Sequence, residues 1–143
     1  MGKSTTTNND LLKLIFNATA IANIADNAAA SPLTNLYLAL HTADPGAGGT
    51  QATSEVTYTS YARVAVARTT GGWTASSASS TSLVAAATFP AGTGGSGTAT
   101  FFSIGVASSG ATKILYSGAL TVSIVTGNGI TPQLLATTSV TES

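Results

Sequence analysis

The sequence predicts an all-β domain, an antiparallel β-sandwich or jelly roll of about seven or eight strands, with one N-terminal α-helix. Three observations predict it. The hydrophobic period changes from helical to two near Leu33. Beyond that point, short runs rich in β-branched and aromatic residues alternate with Gly-, Ser- and Pro-containing turns, and no helical stretch separates them, which argues against a parallel α/β sheet. The chain has 143 residues with 43% hydrophobic and only 7% charged residues. It is thus long enough to bury a core as a single domain and far too apolar for a disordered segment.

The elements follow in order. Residues 1–9 are polar and aperiodic and are expected to form a flexible arm. Asn8 or Asn9 is placed to cap a helix over 10–30, with Asp10 in its first turn. Leu11, Leu12, Ile15, Ala18 and Ala22 recur at helical spacing, and Leu14, Ile21 and Ile24 widen that stripe. Asn17 and Asn23 sit on its polar side. Pro32 removes a donor and restricts Ser31, so the helix is expected to end between Asp26 and Ala30. Residues 33–142 then form the sandwich. Leu36, Leu38 and Leu40 alternate with Tyr37, Ala39 and His41. The loop ADPGAGGTQATS follows, then VTYTSYARVAVART, in which Tyr61, Arg63 and Ala65 face away from Ala62, Val64 and Val66. Gly71-Gly72 is a turn before Trp73, and SSASSTS is a polar connection. LVAAATFP is a strand stopped by Pro90, and AGTGGSG is a flexible turn. TATFFSIGVA is a strand and SSGAT a turn. KILYSGALTVSIV is one long or two short strands. TGNG is a turn, because Asn-Gly accepts positive φ. ITPQLLATTSVTE supplies the last strand or two.

Composition excludes several functions. Five Lys and Arg balance five Asp and Glu, too few cations to neutralise a nucleic-acid backbone, so no nucleic-acid partner is expected. No apolar run approaches the ~18 residues of a membrane span, so no membrane partner is expected either. MGKSTTTNND lacks the apolar stretch of a signal peptide. Without cysteine there is no disulfide and no thiolate metal site. A weakly charged, Ala-, Thr-, Ser- and Gly-rich chain tends to associate, which points to life in an assembly.

The candidate chemistry is sparse. His41 and Asp44 stand three residues apart at the end of a strand. A triad needs a converging nucleophile, base and acid, a zinc site needs three or four ligands, and the chain has one histidine and five carboxylates. Asp44-Pro45-Gly46 instead has the residues of a turn: a carboxylate that bonds the backbone two residues on, a fixed φ and a glycine. The sequence therefore predicts no catalytic, cofactor or metal site. GAGGT and GTGGSG lack the Lys-Ser/Thr ending of a P-loop and the following helix of a dinucleotide fold, and read as turns. Arg63 and Arg68, five apart in one strand, are candidates for an interface, for pairing with Glu55 or Asp44, or for a solvated face. Tyr37, Tyr58, Tyr61, Trp73 and Tyr116 could line a sugar-binding platform but, alternating along strands, read better as core. Among them Trp73, after Gly-Gly, is the most exposed candidate.

Six blocks, LYLALHTADPG (Leu36–Gly46), Glu55–Arg68 with its YARVAVAR, Gly72–Trp73, Phe102–Gly105, Ile114–Gly118 and Asn128–Pro132 with NGITP, together resemble a family of small virion structural proteins of tailed bacteriophages. Members are described as capsid cement or decoration proteins or as tail-fibre proteins. The resemblance covers most of residues 33–135. It implies a jelly-roll unit, no enzymatic activity, synthesis in the host bacterial cytoplasm and residence in the virion. The chain is short and has no heptads or repeats, so a capsid cement protein on the outer surface of the head is the expected function. It would bridge subunits of the major capsid protein and associate with itself as a dimer or trimer. A tail-fibre or tail-tip component that binds the host surface is the alternative. The contact residues expected for such a role are the arm from Lys3 to Asp10, the loop from Asp44 and Pro45 to Gln51, Arg63, and Trp73 if exposed.

Overall fold

A computed structural model describes residues 3–21 and 32–143. They comprise one helix, α1 (Thr5–Phe16), and eight strands: β1 (Asn35–His41), β2 (Val64–Ala67), β3 (Ser80–Ser82), β4 (Ala87–Thr88), β5 (Ser96–Gly105), β6 (Ile114–Gly127), β7 (Gln133–Leu134) and β8 (Ser139–Thr141). The fold is all-β apart from the one short helix. One sheet has four strands in the order β2-β1-β5-β6, and two ribbons pair β3 with β8 and β4 with β7. The pairings β1–β5, β5–β6, β3–β8 and β4–β7 are antiparallel. No described helix is long and apolar enough to cross a membrane.

The chain divides into two compact units. One is built from Leu36–Ala65 and Ala87–Leu134; the other contains the described part of residues 1–35 with Val66–Ala86 and Leu135–Ser143. The first holds β1, β5 and β6. Leu36, Leu38, Leu40, Val56, Phe89, Ala99, Phe102, Ile104 and Leu134 are buried in it. Strand β1 was expected to alternate, yet Leu38, Ala39, Leu40 and His41 are all buried. β1 is an interior strand of its sheet, and a strand covered on both faces has no solvent side.

The second unit corrects the reading of the N-terminus. The helix begins at Thr5, inside the expected arm. Ser4 is the N-cap, its hydroxyl accepting from the Thr7 N–H at 3.2 Å. Asn8 and Asn9, expected as caps, instead bind inside the unit. Asn8 Nδ2 donates to Ser79 Oγ and to the Glu142 carbonyl, each at 3.2 Å, while Asn9 Oδ1 accepts from the Ser79 N–H at 2.8 Å. The helix stops at Phe16. Asn17 N–H donates to the Lys13 carbonyl at 2.9 Å, and Ala18 takes a left-handed φ of 51°, which turns the chain off the helix axis. The expected continuation over 22–30 lies outside the described residues. Leu12, Phe16, Trp73, Leu83 and Val140 form the core of this unit, with the Phe16 and Trp73 rings 4.5 Å apart. The segment SSASSTS, expected to be a connection, supplies β3: Thr81 pairs with Val140 and is buried.

Candidate functional site

The largest concentration of buried polar side chains lies in the unit that holds β1, β5 and β6. It is assembled from the end of β1, the segment 51–63, β5 and the turn at 107–112. Hydrogen bonds from the Thr42 N–H to the Ser54 carbonyl (2.8 Å) and from the Val56 N–H to the Leu40 carbonyl (3.0 Å) lay that segment along β1. This brings Glu55 opposite His41.

Arg63 is the centre. Its Nε donates to Glu55 Oε1 at 2.7 Å and its Nη2 to Glu55 Oε2 at 2.8 Å, a two-pronged ion pair. The same guanidinium donates to the carbonyls of Ala107 (3.1 Å) and Gly110 (2.8 Å) and to Thr112 Oγ1 (3.1 Å). The planar fork of arginine is suited to this many fixed acceptors. The bonds to Glu55 raise the Arg63 pKa above its ordinary value against the opposing effect of burial, so the cation is locked in. Tyr61 O–H donates to Glu55 Oε1 at 2.9 Å and accepts from the Leu40 N–H at 3.1 Å. Burial first, and then the Glu55 charge, push its pKa upward, so the phenol stays protonated. Tyr61 also stacks on Phe89, with centroids 6.1 Å apart, and meets Tyr58 edge-on.

Gln51 extends the cluster to β1. Its Nε2 donates to the Tyr37 carbonyl at 2.9 Å and its Oε1 accepts from Thr112 Oγ1 at 3.1 Å. The Gln51 amide rests on the backbone of Gly105, where any Cβ would overlap it. His41 completes the group. Its Nδ1 lies 2.8 Å from the Thr53 carbonyl and its Nε2 2.7 Å from Ser103 Oγ. The carbonyl can only accept, so Nδ1 carries the proton and Nε2 accepts from Ser103. Burial lowers the pKa of His41, outweighing the bond to Thr53 and the charge of Glu55.

A Ser–His pair at this distance has the outline of a hydrolase dyad. Both residues are 0% exposed, however, and Nδ1 meets a carbonyl where a triad places a carboxylate. A hydroxyl that cannot meet a substrate is a strut. Chemically the cluster neutralises one carboxylate with one guanidinium and satisfies the polar atoms around them.

The expected contact residues separate accordingly. Asp44 is exposed, and its Oδ1 accepts from the Gly46 N–H at 2.9 Å, the turn read from the sequence. Gly46 has φ of 71°, which glycine adopts without strain. Pro45 is buried. Gln51 and Arg63 are brought together around Thr112 and are buried, at 0% and 8% exposure. Their side chains are committed to internal partners, which removes them from any contact surface. Trp73 is likewise not the exposed aromatic that the sequence suggested: it is 1% exposed, packed on Phe16, because two large rings bury more apolar area together than either does in water. In the unit containing α1, Lys3 is exposed and pairs with Glu142, and Asp10 is half-buried on α1. Ser103, Thr112 and Gly105 escaped the sequence reading. Tyr61 was visible as sharing a face with Arg63 and as one of the aromatics read as core, but not as a partner of Glu55.

The blocks that carry the family resemblance meet in this cluster. His41, Glu55, Tyr61, Arg63 and Ser103 come from three of them: Tyr61 and Arg63 both bond Glu55, His41 bonds Ser103, and Glu55 lies opposite His41. A family model described as Podophage GP4 fiber I protein gp80 matches residues 2–141. No curated protein matches the chain.

Proposed function

The chain belongs to the podophage GP4 fiber I protein gp80 family, a family of phage virion structural proteins, and from that membership we propose that it is a fibre subunit, assembled non-covalently and without chemistry of its own. The family match over residues 2–141 carries this reading. The geometry supports it by what it leaves for function. His41, Ser103 and Arg63, the groups of the cluster that could do chemistry, are buried and held by internal partners. With Trp73 buried, a sugar platform built on that ring loses its anchor, so the reading is of a building block.

One observation favours the capsid cement reading as a second possibility. The only described helix has 12 residues, and the sequence has no heptads or repeats from which a long shaft is made. A small unit held at many equivalent places on an icosahedral head gains strength from multiplicity.

Copy number separates the two. Quantitative mass spectrometry of purified virions should find a number set by the symmetry of the tail, well below the copy number of the major capsid protein, for a fibre subunit. Hundreds of copies would reject the fibre reading in favour of cement. Localisation of a gold-labelled antibody to the tail should agree with the low count.

A further inference from the structure

The seam where α1 meets the turn before β3 combines backbone strain with unmet polar groups. Ala78 and Ser79 have φ of 48° and 61°, and Ser77 and Ser80 exchange two backbone bonds across them at 3.0 and 2.9 Å. A two-residue hairpin with both central residues left-handed is normally built from Asn-Gly, Asp-Gly or Gly-Gly. Ala and Ser are strained there, so neighbours must impose the shape. α1 supplies them. Asn9 Oδ1 accepts from the Ser79 N–H at 2.8 Å, Asn8 Nδ2 donates to Ser79 Oγ at 3.2 Å, and Ser76 Oγ donates to the Asn9 carbonyl at 2.9 Å. The same seam holds two buried polar atoms with no hydrogen-bond partner among the described residues, Asn8 Oδ1 and Trp73 Nε1. Such an atom has left water without gaining a bond, which is unfavourable. Trp73, the chain's one tryptophan, is packed on Phe16 at the end of α1.

We propose that α1 and the turn 77–80 form a strap that opens as one piece, before the rest of its unit, and uncovers Trp73. The turn has no preference for its own shape, so it relaxes when Asn8 and Asn9 leave. α1 has 12 residues, about the length at which an isolated helix is marginal in water, so it loses its shape when it leaves the turn. Each element therefore holds the other, and the two open together. Opening frees Ala78 and Ser79 from their strained φ. It also gives the Asn8 amide and the Trp73 indole access to water. Bonds beyond the seam do not pass through α1: the Thr74 N–H donates to the Ser82 carbonyl at 2.8 Å and the Leu83 N–H to the Thr138 carbonyl at 3.2 Å. They outlast the opening. Leu12 and Phe16 are fully buried, and Arg68 bonds carbonyls of the last turn of α1, which makes the closed form the resting state. Open, the unit presents an apolar face centred on an indole, the kind of anchor that protein contacts favour. The strap thus hides a contact surface in the resting chain and exposes it on release.

Hydrogen exchange followed by NMR on the full, unaltered chain tests this. The amides of Leu12 to Phe16, Ser79 and Ser80 and the Trp73 indole N–H should share one opening. That opening should be populated about tenfold or more above the one that exposes the Thr74 and Leu83 amides. Asn9→Ala, at a half-buried position, should raise the opening of Ser80 and Phe16 together, by about fivefold. Ala78→Asn combined with Ser79→Gly builds the turn from residues that adopt its shape unaided. In that background Asn9→Ala should still loosen α1 but leave the Ser80 amide protected. Three results overturn the proposal. One is a strap or an indole that opens as rarely as Thr74 and Leu83. Another is α1 and the turn opening to extents that differ by more than about tenfold. The third is Asn9→Ala affecting Ser80 no more in the original chain than in the Asn-Gly background. None of these readouts depends on where in the virion the chain sits, so they stand apart from the fibre reading.

Discussion

Arg63 and Arg68 flank one short strand, and the units they enter hold them by different chemistry. Arg63 faces a carboxylate: Glu55 takes two of its bonds, and the carbonyls of Ala107 and Gly110, the Thr112 hydroxyl and the Gln51 amide oxygen accept the others. Arg68 meets carbonyls only. Its Nε donates to Ile15 (2.7 Å), its Nη2 to Leu14 (2.8 Å) and its Nη1 to Leu33 (2.6 Å). Two of these acceptors belong to the last turn of α1, where the helix leaves its carbonyls unpaired and the macrodipole favours a cation. The difference in depth follows from charge. A guanidinium neutralised by a carboxylate can be sealed from water, whereas one held by partial charges keeps its net charge and stays half-exposed. The same side chain thus locks a buried cluster in one unit and caps a helix in the other.

Substitutions can sharpen or break this contrast. Arg63→Met should be the most damaging, because it strands the Glu55 carboxylate among buried groups. A loss of about 3–5 kcal/mol is expected from urea denaturation, and a loss under 1 kcal/mol would mean that the ion pair is not what holds the cluster. Gly105→Ala should come next, at about 1–3 kcal/mol. The new methyl group displaces the Gln51 amide and its bond to the Tyr37 carbonyl, so slower amide exchange elsewhere in β1 should persist while protection near Tyr37 drops. Arg68→Met should cost about 1 kcal/mol, typical of a helix C-terminal cation that is partly solvated. Added salt should shrink that cost, and it should leave the Arg63 effect nearly unchanged.

The smallest expected effect is that of pH. Burial holds the His41 pKa below its ordinary value of 6.5. On acidification the unfolded chain therefore takes up a proton before the folded one does. Stability from this source is complete above about pH 6.5 and declines as pH falls toward the folded value. Denaturation midpoints measured between about pH 8 and about pH 5 should slope downward on the acid side. His41→Gln should flatten that slope, and an unchanged slope in the variant would assign it to other groups. Arg68 is surrounded by carbonyls that do not titrate, so Arg68→Met should leave the pH profile of the wild-type shape.

Much of the cluster was visible in outline. Tyr61 and Arg63 are two apart in a strand and so share a face, and Glu55 is one of only two glutamates in the chain, which makes it an obvious partner. The Asp44 turn was readable from three residues. Gln51, Ser103 and Gly105 were not, since a glutamine in a Gly- and Thr-rich loop and a serine in a strand carry no mark of burial until another strand's register places them. The N-terminal helix shows the opposite failure. Ser4 has cap chemistry, but so do Asn8 and Asn9. Which one begins the helix depended on Asn8 and Asn9 finding Ser76, Ser79 and Glu142 to bind.

The sequence by itself determined the all-β class, the N-terminal helix, the turns at Asp44–Gly46 and Asn128–Gly129, and the lack of a thiolate site. Each of these follows from periods and side-chain chemistry that act over a few residues. Tertiary structure alone decided that Trp73 and Arg63 are buried, that a polar connection becomes β3, and that β6 lies at the edge of its sheet. Those outcomes depend on which distant segments pair, and the energy of pairing is released only when both partners are present.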